Sequence, residues 1–253
     1  MKRTSPARQT LWWRGEGEWM RVAATVFLLL IPMFTRAQEA SIVADRPGLA
    51  DGSTTVGRGM AQLETGLTGE GGDEEQFTLP TLVRYGITDR LELRIASDVV
   101  GWTSDDGDIA PIAAGFKLSL RDGALPLSLI ASVQPPSGEG RLRSSAFEGE
   151  ARLVSDIDLA EGLSLTPNVG VALVEGDGAV AIFAATVERE MGRALPFVDF
   201  EATIGDGDTS MIADAGIAWV VRPNTQLDIS VGVDVLGDEY PEWFIAAGYS
   251  RRF

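Results

Sequence analysis

Apolar and polar residues alternate one by one along much of the chain after residue 58. In LDISVGVD, residues 227–234, leucine, isoleucine and valine fill every second position, and aspartate, serine and glycine lie between them. LELRIASDV, residues 91–99, largely repeats this pattern, and weaker copies occur in six further stretches. Successive side chains of a β-strand point to opposite faces, so a period of two indicates strands with one apolar and one polar face. The sequence therefore predicts an all-β fold.

Connectors of two kinds separate these strands. Five are short, such as GITDR at 86–90, and six are on the whole longer and more acidic, such as GEGGDEEQ at 69–76. The two kinds alternate strictly and delimit twelve strands, an even number that returns both ends of the series to the same side. Such a series predicts an antiparallel, up-and-down topology.

The beginning of the chain has a different composition. Thirteen mostly apolar residues, 22–34, follow Arg21 and precede small residues. This pattern predicts a secretory signal peptide over residues 1–37. A membrane anchor fits less well, because a spanning helix needs about 20 apolar residues. Translation from Met20 would give a more compact leader, and both starts remain open.

Composition excludes several classes of function. The 253 residues include no cysteine and no histidine, which removes disulfides, thiol nucleophiles, Ser-His catalysis and most zinc chemistry. The formal net charge is −16, and cleavage after residue 37 leaves 15 basic against 35 acidic residues, or −20. This charge disfavours a nucleic-acid partner. We expect no enzyme activity, no metal and no cofactor.

Two architectures accommodate many amphipathic antiparallel strands: a soluble sandwich or barrel, and an outer-membrane barrel whose apolar face contacts lipid. The signal peptide, the alternating connectors and a strand that ends at Phe253 favour the second. Lipid tolerates no open sheet edge, so the last strand must close on the first. We predict a closed transmembrane β-barrel of about 12 strands over residues 59–253, preceded by a periplasmic segment at 38–58. Its predicted location is the outer membrane of a diderm bacterium, reached through the periplasm, with outer-membrane lipids as partners.

The chain ends in YSRRF. Tyr249 and Phe253 look like the terminal aromatic signal by which outer-membrane barrels are recognised, so we expect the barrel-assembly machinery to bind the last strand. Such endings usually have another apolar or aromatic residue two positions before the last, where this chain has Arg251. A long arginine side chain near the interface can reach water.

Two stretches resemble a known family: ADRPGLADGSTTVGRGMAQLETGLT at 44–68 and LPTLVRYGITDRLELRIASD at 79–98. The shared motifs are Asp45-Arg46-Pro47, the GxxQLETG strand at 59–66 and the LxRYGxTDRxELR hairpin at 82–94. They resemble a family of bacterial outer-membrane transporters that is named after the meta pathway of phenol degradation. The resemblance implies an outer-membrane barrel that transports a small solute, and it leaves the solute undefined.

Strand parity places a set of polar residues on the inner face of such a barrel. They could form a charged constriction that sets selectivity, or ordinary interstrand ion pairs, and we favour the second interpretation. Asp45 and Arg46 belong either to a plug in the periplasmic mouth or to a polar turn. Asp199 and Glu201 share one strand face and carry no mark of acid-base catalysis. The candidate lumen-lining residues are Gln62, Glu64, Arg84, Glu92, Arg94, Asp199, Glu201, Asp214 and Asp228.

The sequence thus predicts a passive channel for small solutes. A filled structural or partner-binding barrel without transport is the alternative, and a soluble periplasmic β protein is a third possibility. Parity directs most strand aromatics to the lipid side and leaves mainly Phe197 and Phe244 for the lumen, which gives little support to an aromatic solute.

Overall fold

The computed structural model describes residues 41–72, 75–102, 107–175, 178–205, 209–237 and 241–253. The predicted signal peptide lies outside these residues. The described chain contains one short 3-10 helix, Gly140–Leu142, and in this part of the protein no helix has the length and hydropathy to cross a membrane.

The secondary structure is dominated by β-strands. In chain order they are β1 (Ala61–Gly71), β2 (Gln76–Thr78), β3 (Thr81–Gly86), β4 (Leu91–Ser97), β5 (Val100–Trp102), β6 (Gly107–Ile109), β7 (Ala113–Arg121), β8 (Leu127–Gln134), β9 (Glu148–Val154), β10 (Ile157–Ala160), β11 (Leu163–Val174), β12 (Gly178–Arg189), β13 (Ala194–Ile204), β14 (Thr209–Arg222), β15 (Thr225–Leu236) and β16 (Trp243–Arg252).

Four of the longer strands are each divided into two pieces. β2 and β3 both pair with β1, and the β4/β5 and β6/β7 pieces continue the same ladder, as do β9 and β10 beside β11. Pro80 and Pro111 lie at two of the interruptions, where a residue without a backbone N–H interrupts a hydrogen-bonded ladder. Counted as continuous strands, the sheet has twelve, in up-and-down order. The prediction of about 12 antiparallel strands is confirmed.

The sheet closes on itself. β16 pairs with β1 from Gln62 opposite Arg252 to Gly71 opposite Trp243. The Phe253 N–H donates to the Ala61 carbonyl at 2.8 Å, so the pairing continues to the last residue. Closure leaves no strand edge unpaired in lipid, as a membrane barrel requires.

The apolar face of the sheet points outward. Ile229 and Val231 are 48% and 55% exposed, whereas Ser230 between them is 2% exposed. A soluble sandwich would bury the apolar face instead. The faces are therefore those of a transmembrane barrel, with a polar interior.

Candidate functional site

The interior of the barrel is occupied by residues 41–58, which we call the inner segment. Its backbone N–H groups donate to side chains of the barrel interior on several sides. The wall satisfies amides that would otherwise be buried without a partner. These bonds run from Asp45 and Arg46 to Glu64 Oε2 (2.9 and 3.0 Å), from Leu49 to Asp199 Oδ2 (2.8 Å), from Asp51 to Asn168 Oδ1 (3.0 Å), from Ser53 to Asp156 Oδ2 (2.9 Å) and from Val56 to Glu92 Oε2 (2.8 Å).

The inner segment lies at the end of the barrel where the short turns are. The Ile42 N–H donates to the Pro223 carbonyl in the β14–β15 turn at 2.6 Å. Near its other end, the Thr55 hydroxyl donates to the Asp89 carbonyl in the β3–β4 turn at 2.8 Å. The segment thus crosses the short-turn mouth and leads directly into β1.

A buried ion cluster fixes the segment to β1, β3, β4 and β7. Arg84 is its centre: its side chain has no exposed surface, and it pairs with Glu92 at 2.8 Å and Glu64 at 2.9 Å. Its Nη2 also donates to the Thr54 carbonyl of the inner segment at 2.8 Å. Removing one partner from such a cluster would leave a buried charge without compensation, which is costly.

Asp45 is the contribution of the inner segment to this cluster. Its carboxylate lies 3.3 Å from Arg84, 2.5 Å from Arg94 and 2.9 Å from Lys117. Burial alone would raise the pKa of Asp45, but the charges of Arg84, Lys117 and Arg94 hold it well below its usual range. Asp45 is therefore the anion that the three cations share: Arg84 and Arg94 also pair with Glu64, Glu92 and Asp51, whereas Lys117 pairs with Asp45.

Lys117 is a member of the buried ion cluster that the sequence analysis missed. It is fully buried on β7, and its ammonium group donates to both oxygens of Asp45 at 2.9 Å. A signal was present, because Phe116, Leu118 and Leu120 alternate around it and place the lysine on the polar face.

The structure brings five of the nine candidate residues together and places the other four on another part of the wall. Gln62, Glu64, Arg84, Glu92 and Arg94 belong to or contact the buried ion cluster. The other four, Asp199, Glu201, Asp214 and Asp228, lie on β13, β14 and β15. Glu201 pairs with Arg152 at 2.6 Å, and Asp228 contacts Arg46 of the inner segment at 3.4 Å.

Arg46 occupies a space made by two glycines at the closing seam. Gly66 on β1 and Gly248 on β16 are directly opposite each other. A Cβ on Gly66 would lie 2.5 Å from Arg46 Nη2, and a Cβ on Gly248 would lie 2.6 Å from Nε. Any larger residue at either position would displace Arg46.

Open space remains beside the inner segment. A cavity of about 300 Å³ extends from Arg46 and Glu64 toward the interruptions of the strands, where Pro80, Pro111 and Gln134 line it. The lumen is thus partly filled by the chain itself and partly open.

The predicted assembly residues lie at the end of the barrel wall. Tyr249 is opposite Thr65 on β1 and Leu227 on β15. The Arg251 guanidinium lies 5.2 Å from the centre of the Phe253 ring, a cation–π contact that accommodates arginine at this unusual position.

Comparison with known proteins identifies a family and a set of similar folds. The profile of the family described as "Putative MetA-pathway of phenol degradation" matches residues 44–253. No curated protein sequence matches the chain. The barrel is similar to the COG4313 outer membrane channel from Pseudomonas putida F1, with a TM-score of 0.59 and 12% identity over 79% of this chain and 98% of that one.

Two porins share the same architecture. The KdgM porin gives a TM-score of 0.56 at 11% identity, covering 75% of this chain and 99% of its own. The NanC porin gives 0.56 at 10% identity, covering 76% and 98%. At these identities the likeness establishes the fold, which is that of channel and porin barrels of the outer membrane rather than of enzymes.

Proposed function

The chain belongs to the family described as "Putative MetA-pathway of phenol degradation", and from this premise we propose that it is a passive channel for small solutes. It acts in the outer membrane of a diderm bacterium, with lipid around the barrel, and needs neither a cofactor nor energy coupling. The barrel-assembly machinery inserts it through β16. The three similar folds described above, one named as an outer membrane channel and two as porins, support this proposal.

The observation that carries the proposal is that a segment of the chain, rather than a wall strand, occupies the lumen. No wall strand crosses it in the described chain; the short-turn mouth is occupied by residues 41–58, held by hydrogen bonds and ion pairs. Beside this segment lies the cavity of about 300 Å³, with Arg46 at its boundary. A small solute that enters the cavity contacts Arg46 of the inner segment.

The alternative is a filled barrel that does not transport. The observation in its favour is the buried ion cluster, in which Arg84, Glu64 and Glu92 have no exposed side-chain surface. Charges compensated in this way contribute little to attracting a solute. They would instead make the interior a rigid, packed core.

Conductance in a planar lipid bilayer distinguishes the two functions. The mature chain, checked for folding by heat-dependent gel mobility, should show small discrete openings in potassium chloride. Replacing Arg46→Ala widens the boundary of the cavity and should increase the conductance. The matched control, Arg90→Ala, removes an arginine whose side chain is 62% exposed in a turn and should change nothing. Folded barrels without openings in all three proteins would favour the filled barrel.

A further inference from the structure

The wall formed by β13 to β16 contains a pair of aspartates that faces the interior without compensation. Asp199 and Asp214 are directly opposite each other on β13 and β14. They are 6% and 7% exposed. Like charges directly opposite each other on a sheet destabilise it, and burial increases the cost. The pair therefore requires a positive charge or a proton.

The hydrogen bonds of the pair are incomplete. One oxygen of Asp199 accepts from the Leu49 N–H at 2.8 Å and the Thr186 hydroxyl at 3.1 Å. Its other oxygen and both oxygens of Asp214 are buried, and no N–H or O–H group of the described residues donates to them with good geometry. The Asp199 carboxyl group and the Ser230 hydroxyl lie beside Asp214. Buried polar atoms in native proteins are nearly always paired, so these three oxygens require a donor, which either a proton shared by the two carboxyl groups or a bound cation would supply.

Two aromatic rings lie beside the aspartates. Gly232 is the partner of Asp214 on β15, and the Phe244 ring from β16 lies over it. One layer further along, Gly216 lies opposite Phe197, whose ring atom Cζ would be 2.6 Å from a Cβ on this glycine. Both rings, which parity predicted for the lumen, thus flank the carboxylates. Carboxylates beside aromatic faces form the surroundings that organic cations prefer.

The protein itself places an organic cation on this wall. The guanidinium group of Arg46 lies 3.4 Å from Asp228, which faces the same interior on β15. Asp228 has one further oxygen that is buried and has no partner among the described residues. A metal ion fits less well, because the described residues contain no group of three or more histidine, cysteine, aspartate or glutamate side chains that could hold one.

We propose that Asp199 and Asp214, flanked by Phe197 and Phe244, form a binding site for a small organic cation with an ammonium group. This inference rests on the proposed function and gives it a solute class. The carboxylates balance the charge, and the ring faces contact the alkyl groups on the nitrogen. Hydrated metal ions are disfavoured because two phenyl rings cannot replace their water ligands.

Choline is a suitable probe, and 3,3-dimethyl-1-butanol is its neutral isostere. Binding of each to the full barrel in detergent can be measured by calorimetry between pH 6 and 8. Choline should bind and the isostere should not. Asp214→Asn should weaken choline binding about 30-fold or more, because one buried charge partner is lost. Phe244→Leu should weaken it about 2- to 30-fold, because the aromatic face is lost.

The control Glu150→Gln removes one inward negative charge on β9, where the side chain pairs with Arg152 at 2.9 Å. It should bind choline as the parent does. Asp214→Asn removes the like-charge repulsion, so it should fold at least as well as the parent, which heat-dependent gel mobility can verify. Equal affinity for choline and its isostere, or unchanged affinity in Asp214→Asn, would overturn the site. Absence of choline binding across the pH range would assign the pair to a shared proton instead.

Bilayer recordings separate this site from the proposed function. Openings in potassium chloride without choline binding would overturn the cation site and leave the channel standing. Choline binding to a barrel that never opens would overturn the channel and leave the site standing. If both hold, reversal potentials under a choline chloride gradient should show preference for choline over chloride, and Asp214→Asn should reduce that preference.

Discussion

Replacing Asp45→Asn should release the inner segment from the barrel wall. The substitution preserves the shape of the side chain and its ability to accept from the Gly52 N–H, now at 3.1 Å. It removes the negative charge that three cations share. It also replaces the oxygen that accepts from Arg94 by an NH2 group, so the change is confined to charge and hydrogen bonding at one buried position, where the side chain is 5% exposed.

The magnitude follows from what each cation retains. Arg84 keeps Glu64 and Glu92, and Arg94 keeps Asp51 at 2.7 Å. Lys117 keeps only the Thr54 carbonyl at 3.5 Å among its described partners. Breaking a buried ion pair costs about 3–5 kcal/mol. Because only one of three cations is left without a carboxylate, we expect about 3 kcal/mol, or roughly a 150-fold weaker docking of the segment.

Cysteine labelling can measure this release, because the chain has no cysteine of its own. Ala50 lies in the inner segment and is 6% exposed, so Ala50→Cys introduces a single buried thiol. Its rate of reaction with a bulky maleimide reports how often the segment leaves the wall. The Asp45→Asn change should increase this rate about 150-fold if exchange is rapid relative to labelling.

The matched control is Asp89→Asn, at an exposed turn where the carboxylate accepts from the Arg58 N–H at 3.3 Å. We expect less than about 1 kcal/mol from it, since exposed polar contacts contribute little. Equal labelling rates in Asp45→Asn, Asp89→Asn and the parent would refute the reasoning. The buried ion cluster would then stabilise the wall alone, and the inner segment would be held by its other contacts.

Three further predictions concern pH, the outer face and the last residue. The pKa of Asp45 is depressed, so its stabilisation is present above its ordinary pKa near 3.8 and is lost as the pH falls through the lower value in the folded protein. The difference in melting temperature between the parent and Asp45→Asn should stay constant from about pH 8 to 5 and shrink below about pH 4. Ile229→Arg on the lipid face should destabilise the barrel by about 2–4 kcal/mol in urea unfolding from vesicles, while Ile229→Leu should be nearly neutral. Deletion of Phe253 should leave degraded chains in the periplasm, whereas Phe253→Trp should assemble; a normal yield of heat-modifiable barrel after deletion would argue against the assembly signal.

Alternation of side chains predicted strands with one apolar and one polar face, and the leader, the two kinds of connector and the terminal strand were needed to choose a membrane barrel over a soluble one. The same pattern could not predict where strands are interrupted, because β2/β3 and β6/β7 each continue one amphipathic series on both sides of the break. Pro80 and Pro111 were the available signals for these interruptions. The interruptions matter for function, since both prolines line the cavity.

The path of the inner segment was harder to predict, and the sequence left a plug and a turn as equal alternatives. The sequence of the segment has no periodicity. Its backbone amides donate to side chains on several different wall strands and form no regular ladder. Its recognition signal lies far away in the sequence. Gly66 and Gly248 are 182 positions apart and become a pair only when the barrel closes, and together they make the space for Arg46.

The acidic lining also has a different meaning in the structure from the two proposed at first. The sequence analysis offered two roles for these acids, a selectivity ring or ion pairs between neighbouring strands. The structure gives a third role to Glu64, Glu92 and Asp199. Each accepts a hydrogen bond from the backbone of the inner segment, at 2.8–3.0 Å. A carboxylate accepts such bonds strongly and donates none, so it suits a wall that must bind N–H groups at several depths.

This use of carboxylates separates the two parts of the lumen. Beside β3, β4 and β7, each carboxylate of the cluster has a cationic partner in Arg84, Arg94 or Lys117. Beside β13, β14 and β15, Asp199 and Asp214 have buried oxygens and no cationic partner among the described residues. If solutes cross this barrel, selectivity for charge should therefore arise on the second wall. A variant that neutralises Asp214 should change ion preference, whereas one that alters the compensated cluster should change how readily the inner segment leaves.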